Sequence, residues 1–368
     1  MIPQQGPLTA RLSSDPAPFS VDQETLLGFL LRIQKESGGS IPFHRFMAEA
    51  LHHPRFGYYG AHIAEVGTRG DFSTSATVSS HLGFAIASWA ITRARERGWR
   101  RLPLIEMGAG NGELARTILD RLGWVRRLRT DYLIVESSPV LRDRQKRFLR
   151  GRGVQWHDTV SSALEKLEGR ALIFSNELVD AFPCRLFEKT PDGWRELGVT
   201  ISDQGGLSEC FIGSPSDDPW FGTLGPLPRG QRVERHDSYL CWLKTWSGSF
   251  GEGSVLTIDY GDEAPSLYKR RPFGSLRAYW KHQRLTGSDI YARFGKQDIT
   301  ADVNFSDLIT WGKNLRWNTE SLSPQGDFLR KWTSVERNMP GDLLASKEGA
   351  GDAFKILEQT PSGNLVGR

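Results

Sequence analysis

Apolar residues recur along this chain with two different periods. From residue 99 onward the short apolar runs LPLIEM, DYLIVES, VQWHD and ALIFSNE read as strands. Between them, ELARTILDRLG, SPVLRDRQKRFLRG and SSALEKLEG repeat their apolar positions at helical spacing. Strand and helix alternating over short loops predicts an α/β fold with a parallel sheet covered on both faces. SVLTIDYG at 254–261 predicts a further core strand.

The flanking regions follow other patterns. Ser20 and Gln23 have capping-box spacing ahead of Leu26, Leu27, Leu30, Leu31 and Ile33, which predicts a helix. IPFHRFMAEALHHP predicts a second one, with Pro42 near its start and Pro54 closing it. The polar loop AEVGTRGDFSTSATVSS then interrupts the helical pattern, which resumes at HLGFAIASWAITRARERG, and a loop that long suggests a function. Past residue 185 the pattern turns β-like and turn-rich. The division is therefore a mobile arm at 1–19, a helical region with this long polar loop at 20–98, and a core at 99–189. A β-rich insertion at 190–250 and the rest of the core at 251–357, interrupted by a second insertion at 262–300, precede a mobile tail at 358–368.

Composition narrows the setting. With 38% hydrophobic and 24% charged residues in 368, the chain reads as globular and not as disordered. Cys184, Cys210 and Cys241 form neither a disulfide framework nor a C-x-x-C pair. No apolar run approaches the roughly 18 residues of a membrane span. The first residues lack a signal pattern, and the single Arg11 gives poor support for a mitochondrial presequence, so the expectation is a cytoplasmic protein. Net charge is only +4, although arginines crowd residues 93–152. No aromatic residues alternate with them as in a nucleic-acid motif, so solvated helix faces are the expectation, with attraction to an acidic protein left open.

The chemistry begins at LIEMGAGNGELARTIL, residues 104–119. A glycine-rich turn from strand to helix presents backbone N–H groups and the positive end of a helix dipole to a ligand. Gly108, Gly110 and Gly112 follow G-x-G-x-G, whereas a dinucleotide fingerprint needs G-x-G-x-x-G, so NAD is disfavoured. Glu106 would repel a pyrophosphate but can hold an ammonium, which S-adenosylmethionine carries. Glu136, ending the second strand, stands where a carboxylate accepts hydrogen bonds from ribose hydroxyls. Asp158, with Trp156 nearby, can face the adenine amino group, although for these two a surface acid and a core side chain weigh more.

At this point the chain resembles the MidA-like family of S-adenosylmethionine-dependent methyltransferases, over about residues 40–312. FMAEALHHPRFGYYG, GTRGDFSTS, EMGAGNGELARTIL, NELVDAFP, TIDYG, SLRAYWKH and DITADVNFSDL stand in family order, and GDFSTS and NELVDAFP are the specific stretches. The resemblance implies a Rossmann-like, seven-stranded methyltransferase sheet with family-specific insertions. It implies that Glu106, Gly108, Gly110 and Glu136 bind S-adenosylmethionine and that the loop carrying Asp71, Thr74 and Ser75 closes over it. The family includes a mitochondrial arginine methyltransferase that assists complex I assembly, so the implied partner is a protein substrate, a respiratory-complex subunit among the options. The family pattern usually continues this loop with Pro-Glu, where this chain has Ala76 and Thr77, and TAHVDF appears as TADVNF, with Asp302 and Asn304.

Methyl transfer is an in-line displacement that needs proximity and alignment, and no metal is expected. An arginine acceptor, which stays protonated at any ordinary pH, needs carboxylates to orient its N–H fork and assist proton loss. Asn176, Glu177 and Asp180 in SNELVDAFP fall at the end of the fourth strand, where open α/β sheets bind ligands. Asn176 is assigned to positioning, Glu177 and Asp180 to holding the acceptor. Against this stand a helix-capping Asp180 and a Glu177 paired with an arginine. Asp259 reads equally as a site residue and as a turn acid, and His282 as a proton shuttle, a group that closes the site or, more often, a packed side chain. A small-molecule methyltransferase and a cofactor-binding assembly factor with little turnover remain as alternatives, a dehydrogenase comes last, and the oligomeric state is not predicted.

Overall fold

The apolar runs form β1 (Leu102–Met107), β2 (Thr130–Val135), β3 (Val154–His157) and β4 (Arg170–Asn176), with β5 (Glu252–Asp262) beside β4. The computed structural model describes residues 24–62, 80–333 and 350–363. β6 (Trp317–Pro324) and β7 (Phe354–Pro361) complete a sheet of order 3-2-1-4-5-7-6. β1 to β5 are parallel, and β7 runs antiparallel to both β5 and β6. The short strand Val303–Asn304 also pairs with the end of β5, so among the described residues the sheet has eight strands. It is the α/β sheet that the pattern predicts, and the seven strands in that order match the number the resemblance implies.

Every residue of β1 is buried because helices cover both faces. Helices His81–Glu96, Glu113–Arg127 and Gln325–Trp332 pack on one face through Ile86, Trp89, Ile118, Leu119 and Leu329. Helices Val160–Lys166, Asp237–Trp246 and Phe305–Asn314 cover the other through Leu164, Leu243, Trp246, Leu308 and Trp311. Each large apolar side chain so buried contributes about 1.5–3 kcal/mol.

Beside the core lies a smaller antiparallel sheet. Ile41–Pro42, Gly193–Ile201, Arg185–Thr190 and Arg232–Arg235 pair in that order, and Leu207–Ser216 also pairs with Gly193–Ile201. Helices Leu26–Glu36 and Phe43–His52 pack on it through Phe29, Ile33, Phe46 and Met47, in one cluster with Leu186, Leu197, Tyr291 and Phe294. Arg277–Trp280, Gln283–Leu285 and Asp298–Thr300 form a third sheet.

Several expected boundaries move. The first helix begins at Leu26, and Thr25 caps it by accepting from the Gly28 amide at 3.1 Å. Ser20, Gln23 and the arm at 1–19 lie outside the described residues. The β-rich segment begins at Arg185 and not at 190, and helix Asp237–Trp246, inside the expected insertion, is part of the core. The parallel step from β4 to β5 needs a covering crossover, and this helix supplies it. The tail expected at 358–368 is corrected as well, because Glu358, Gln359, Thr360 and Pro361 belong to β7. Glu358 is only 3% exposed. Its carboxylate accepts from Arg93 at 2.7 and 2.8 Å and from Trp89 at 3.0 Å, which is how so polar a stretch is accommodated inside the sheet.

Candidate active site

The turn after β1 holds Gly108, Gly110 and Gly112 at φ of 69°, 54° and 85°, in the left-handed region that favours glycine. A side chain at Gly108 would come within 2.8 Å of Leu178 Cδ1. Helix Glu113–Arg127 starts directly after the turn and aims its positive end there. The loop is thus a cradle that a Cβ would fill, suited to the close approach of an anionic or polar ligand.

Two carboxylates flank this cradle. Glu106 is buried, and the Tyr132 hydroxyl donates to its Oε2 at 2.6 Å. Burial raises its pKa to about 7, against the pull of that hydrogen bond. Glu136 follows β2, with Oε1 accepting from the Ser138 amide at 2.9 Å and Oε2 from Gln145 Nε2 at 2.9 Å. Burial pushes its pKa upward, and these bonds oppose the shift. Gln145, fully buried, also donates to the Gly110 carbonyl at 2.9 Å and accepts from Trp156 Nε1 at 3.0 Å. It ties the glycine turn, Glu136 and Trp156 together, a role that its place among RDRQKR does not announce. Asp158 turns away from this group: its side chain is 80% exposed and paired with Arg142 at 2.5 Å.

The second half of the site lies at the carboxyl ends of β4 and β5. Asn176 Nδ2 donates to Glu177 Oε1 at 3.0 Å. Glu177 stands at φ 53°, a costly conformation for a side-chain-bearing residue, and its amide donates to the Ile258 carbonyl at 2.9 Å. Asp259 Oδ2 accepts from the amides of Leu178, Val179 and Asp180 at 3.2, 2.8 and 3.3 Å, so Asp259 holds the turn. No helix follows directly for Asp180 to cap. Asp180 is buried, and burial raises its pKa while Arg277 opposes the shift.

Residues from distant segments complete this half. Asp298 is 2% exposed and accepts from the Tyr59 hydroxyl at 2.8 Å. Burial and the nearby Asp180 raise its pKa to about 7, against the pull of Tyr59 and Arg277. Arg277, also buried, is paired with Asp302, which pairs with Arg271 too. Asn304 caps helix Phe305–Asn314 by accepting from the Ser306 amide at 3.2 Å. Tyr59 and Asp298 escape motif reading, although both sit in stretches that carry the family resemblance. His282 is not packed: with Lys281 it forms the exposed two-residue turn between Arg277–Trp280 and Gln283–Leu285, both at positive φ. Asp71, Thr74 and Ser75, with Ala76 and Thr77, lie outside the described residues.

A glycine cradle after β1, a carboxylate after β2 and an acidic edge at β4 and β5 define a nucleoside-cofactor enzyme of the Rossmann-like class. The model of the family described as "Putative S-adenosyl-L-methionine-dependent methyltransferase" matches residues 85–322. The chain belongs to this family of S-adenosylmethionine-dependent methyltransferases, and S-adenosylmethionine is its cofactor. It is 27% identical to mouse "Protein arginine methyltransferase NDUFAF7, mitochondrial", over 96% of this chain and 89% of that protein. It is also 27% identical to the Caenorhabditis elegans homologue of that protein, over 75% and 69% of the two chains. A Burkholderia thailandensis structure with S-adenosyl-homocysteine bound superposes with a TM-score of 0.80 at 26% identity, covering 95% of each chain.

Relatives named as mitochondrial proteins overturn the expectation of a cytoplasmic one. Scarce cysteines exclude a disulfide framework but do not tell one reducing compartment from another. Among the described residues no helix is long and apolar enough to cross a membrane.

Proposed function

We propose that the chain transfers the methyl group of S-adenosylmethionine to an arginine side chain of a protein partner. The observation that carries this reading is the group of neighbouring carboxylates Glu177, Asp180 and Asp298, two of them buried, where the third sheet meets the carboxyl ends of β4 and β5, which suits a planar cation with several N–H donors. The relatives named as protein arginine methyltransferases support it.

In this reading the glycine turn of Gly108, Gly110 and Gly112 admits the cofactor, Glu136 accepts from its ribose and Glu106 holds its ammonium. Asp158, with its side chain exposed, stays at the rim. The bound cofactor supplies an electrophilic methyl carbon on a sulfonium. Asn176 holds Glu177 in its strained conformation, and Glu177 and Asp180 orient the guanidinium so that one nitrogen faces that carbon. A guanidinium nitrogen becomes nucleophilic only as its proton leaves, so a carboxylate with a raised pKa is the suited acceptor, and Asp298 beside Tyr59 meets that requirement.

The test is to incubate the purified protein with methyl-labelled S-adenosylmethionine and extract from cells lacking it. Label is expected in methylarginine after hydrolysis of the protein fraction. Label confined to lysine, to carboxyl esters or to small molecules overturns the arginine reading.

A further inference from the structure

The opposite end of the sheet carries a surface that methyl transfer leaves unused. Between the C-terminal ends of helices His81–Glu96 and Glu113–Arg127 and the starts of β1 and β2 lies a groove of about 590 Å³. Arg95, Arg100, Arg101, Arg126 and Arg129 line it, with Trp99 in its wall. Arg101 is paired with Asp131 at 2.6 Å. Among the described residues, Arg95, Arg100, Arg126 and Arg129 have no carboxylate partner. Arg95 and Arg126 stand in last helical turns, where a cation complements the helix dipole. Arg100 and Arg129 lie beyond the helices, so the dipole does not account for them.

A second observation falls at the same place. Helix Glu113–Arg127 turns Leu114, Ile118, Leu119 and Leu122 inward, but Gly123, at φ 68°, breaks the helical path. Beyond the break Trp124, Val125 and Leu128 emerge 72%, 54% and 70% exposed, and Val125 reaches the groove. Unpaired cations beside apolar residues displayed by a helix break are the complement of a chain that carries both carboxylates and apolar side chains.

We propose that this surface docks an acidic segment of a protein partner, its carboxylates on Arg95, Arg100, Arg126 and Arg129 and its apolar side chains on Trp124, Val125 and Leu128. The concave shape favours a polypeptide over a bilayer, whose flat surface does not enter a groove. Nucleic acid would answer the arginines and leave Val125 and Leu128 unused. The groove sits at the amino ends of the strands and the candidate active site at their carboxyl ends, so docking leaves the latter open.

Two labelled peptides, one of glutamates interspersed with leucines and one of glutamates with serines, test this by fluorescence anisotropy. Arg100→Glu with Arg126→Glu is expected to weaken the leucine-containing peptide about tenfold or more. Trp124→Ser with Leu128→Ser is expected to weaken that peptide several-fold and leave the serine-containing one unchanged. Unaltered titration with S-adenosylmethionine shows that each variant is folded. Equal binding of both peptides to all variants, or tighter binding of phosphatidylglycerol vesicles or duplex DNA than of the leucine-containing peptide, overturns the proposal.

Discussion

Glu136 and Asp180 are both buried carboxylates at the carboxyl ends of parallel strands, but they are supported differently. Glu136 is answered by Ser138 and Gln145, within ten residues along the chain. Asp180 receives hydrogen bonds from its own amide and that of Ala181, but its cationic neighbour Arg277 and the acids Asp298 and Asp302 all come from segments far along the chain. The cofactor half is therefore built from consecutive strands and helices between β1 and β3, whereas the acceptor half also needs segments from distant parts of the chain. Damage to the two halves should be separable.

The largest expected effect is at Glu177. Glu177→Gln should lower transfer by about 10²-fold or more, the cost of losing alignment of the acceptor with the methyl carbon, with cofactor affinity unchanged in calorimetric titration. Retained turnover would remove Glu177 from the acceptor half. Arg277→Met should cost about 1.5–3 kcal/mol in denaturant unfolding, because buried Asp302 loses one of its two arginine partners and keeps Arg271. If the folded variant also fails to bind cofactor, the two halves are not independent.

Equal or smaller effects sharpen the cofactor side. Glu136→Ala should weaken S-adenosylmethionine by about 1.5–3 kcal/mol if both ribose bonds are charge-assisted, and unchanged affinity would sink that assignment. Glu106 gives the gentlest signal. Its pKa of about 7 in the folded protein exceeds the ordinary 4.5, so the folded state holds a proton that the unfolded chain releases between those values. Its contribution to stability is present below pH 4.5 and lost as pH rises through 7. An ammonium beside it favours the ionised form, so cofactor affinity should rise between about pH 6 and pH 8 and binding near pH 6 should release a proton. Calorimetry in buffers of different ionisation enthalpy measures that release, and its absence places the ammonium elsewhere.

The same contrast explains what was legible in the chain alone. Gly108, Gly110, Gly112 and Glu136 announce themselves because their partners are close in sequence and strand–helix alternation fixes where they stand. Tyr59 and Asp298 meet across 239 positions, a distance that no periodicity encodes. Asp259 read equally as a site acid and a turn acid, and only the three amides of Leu178, Val179 and Asp180 decide for the turn. EQTP at 358–361 looked frayed because its polarity gives no sign that Arg93 and Trp89 await Glu358. The hairpin turn at Lys281 and His282 contains neither glycine nor asparagine, and so hides as well.

β7 lies between β5 and β6, although its residues, 354–361, follow both along the chain. During synthesis the sheet therefore has a gap in its interior until residue 361 has cleared the ribosome exit tunnel. Until then β5 and β6 expose the unpaired backbone edges that β7 will join. A nascent chain halted before residues 354–361 emerge keeps two open sheet edges, a target for chaperones and proteases.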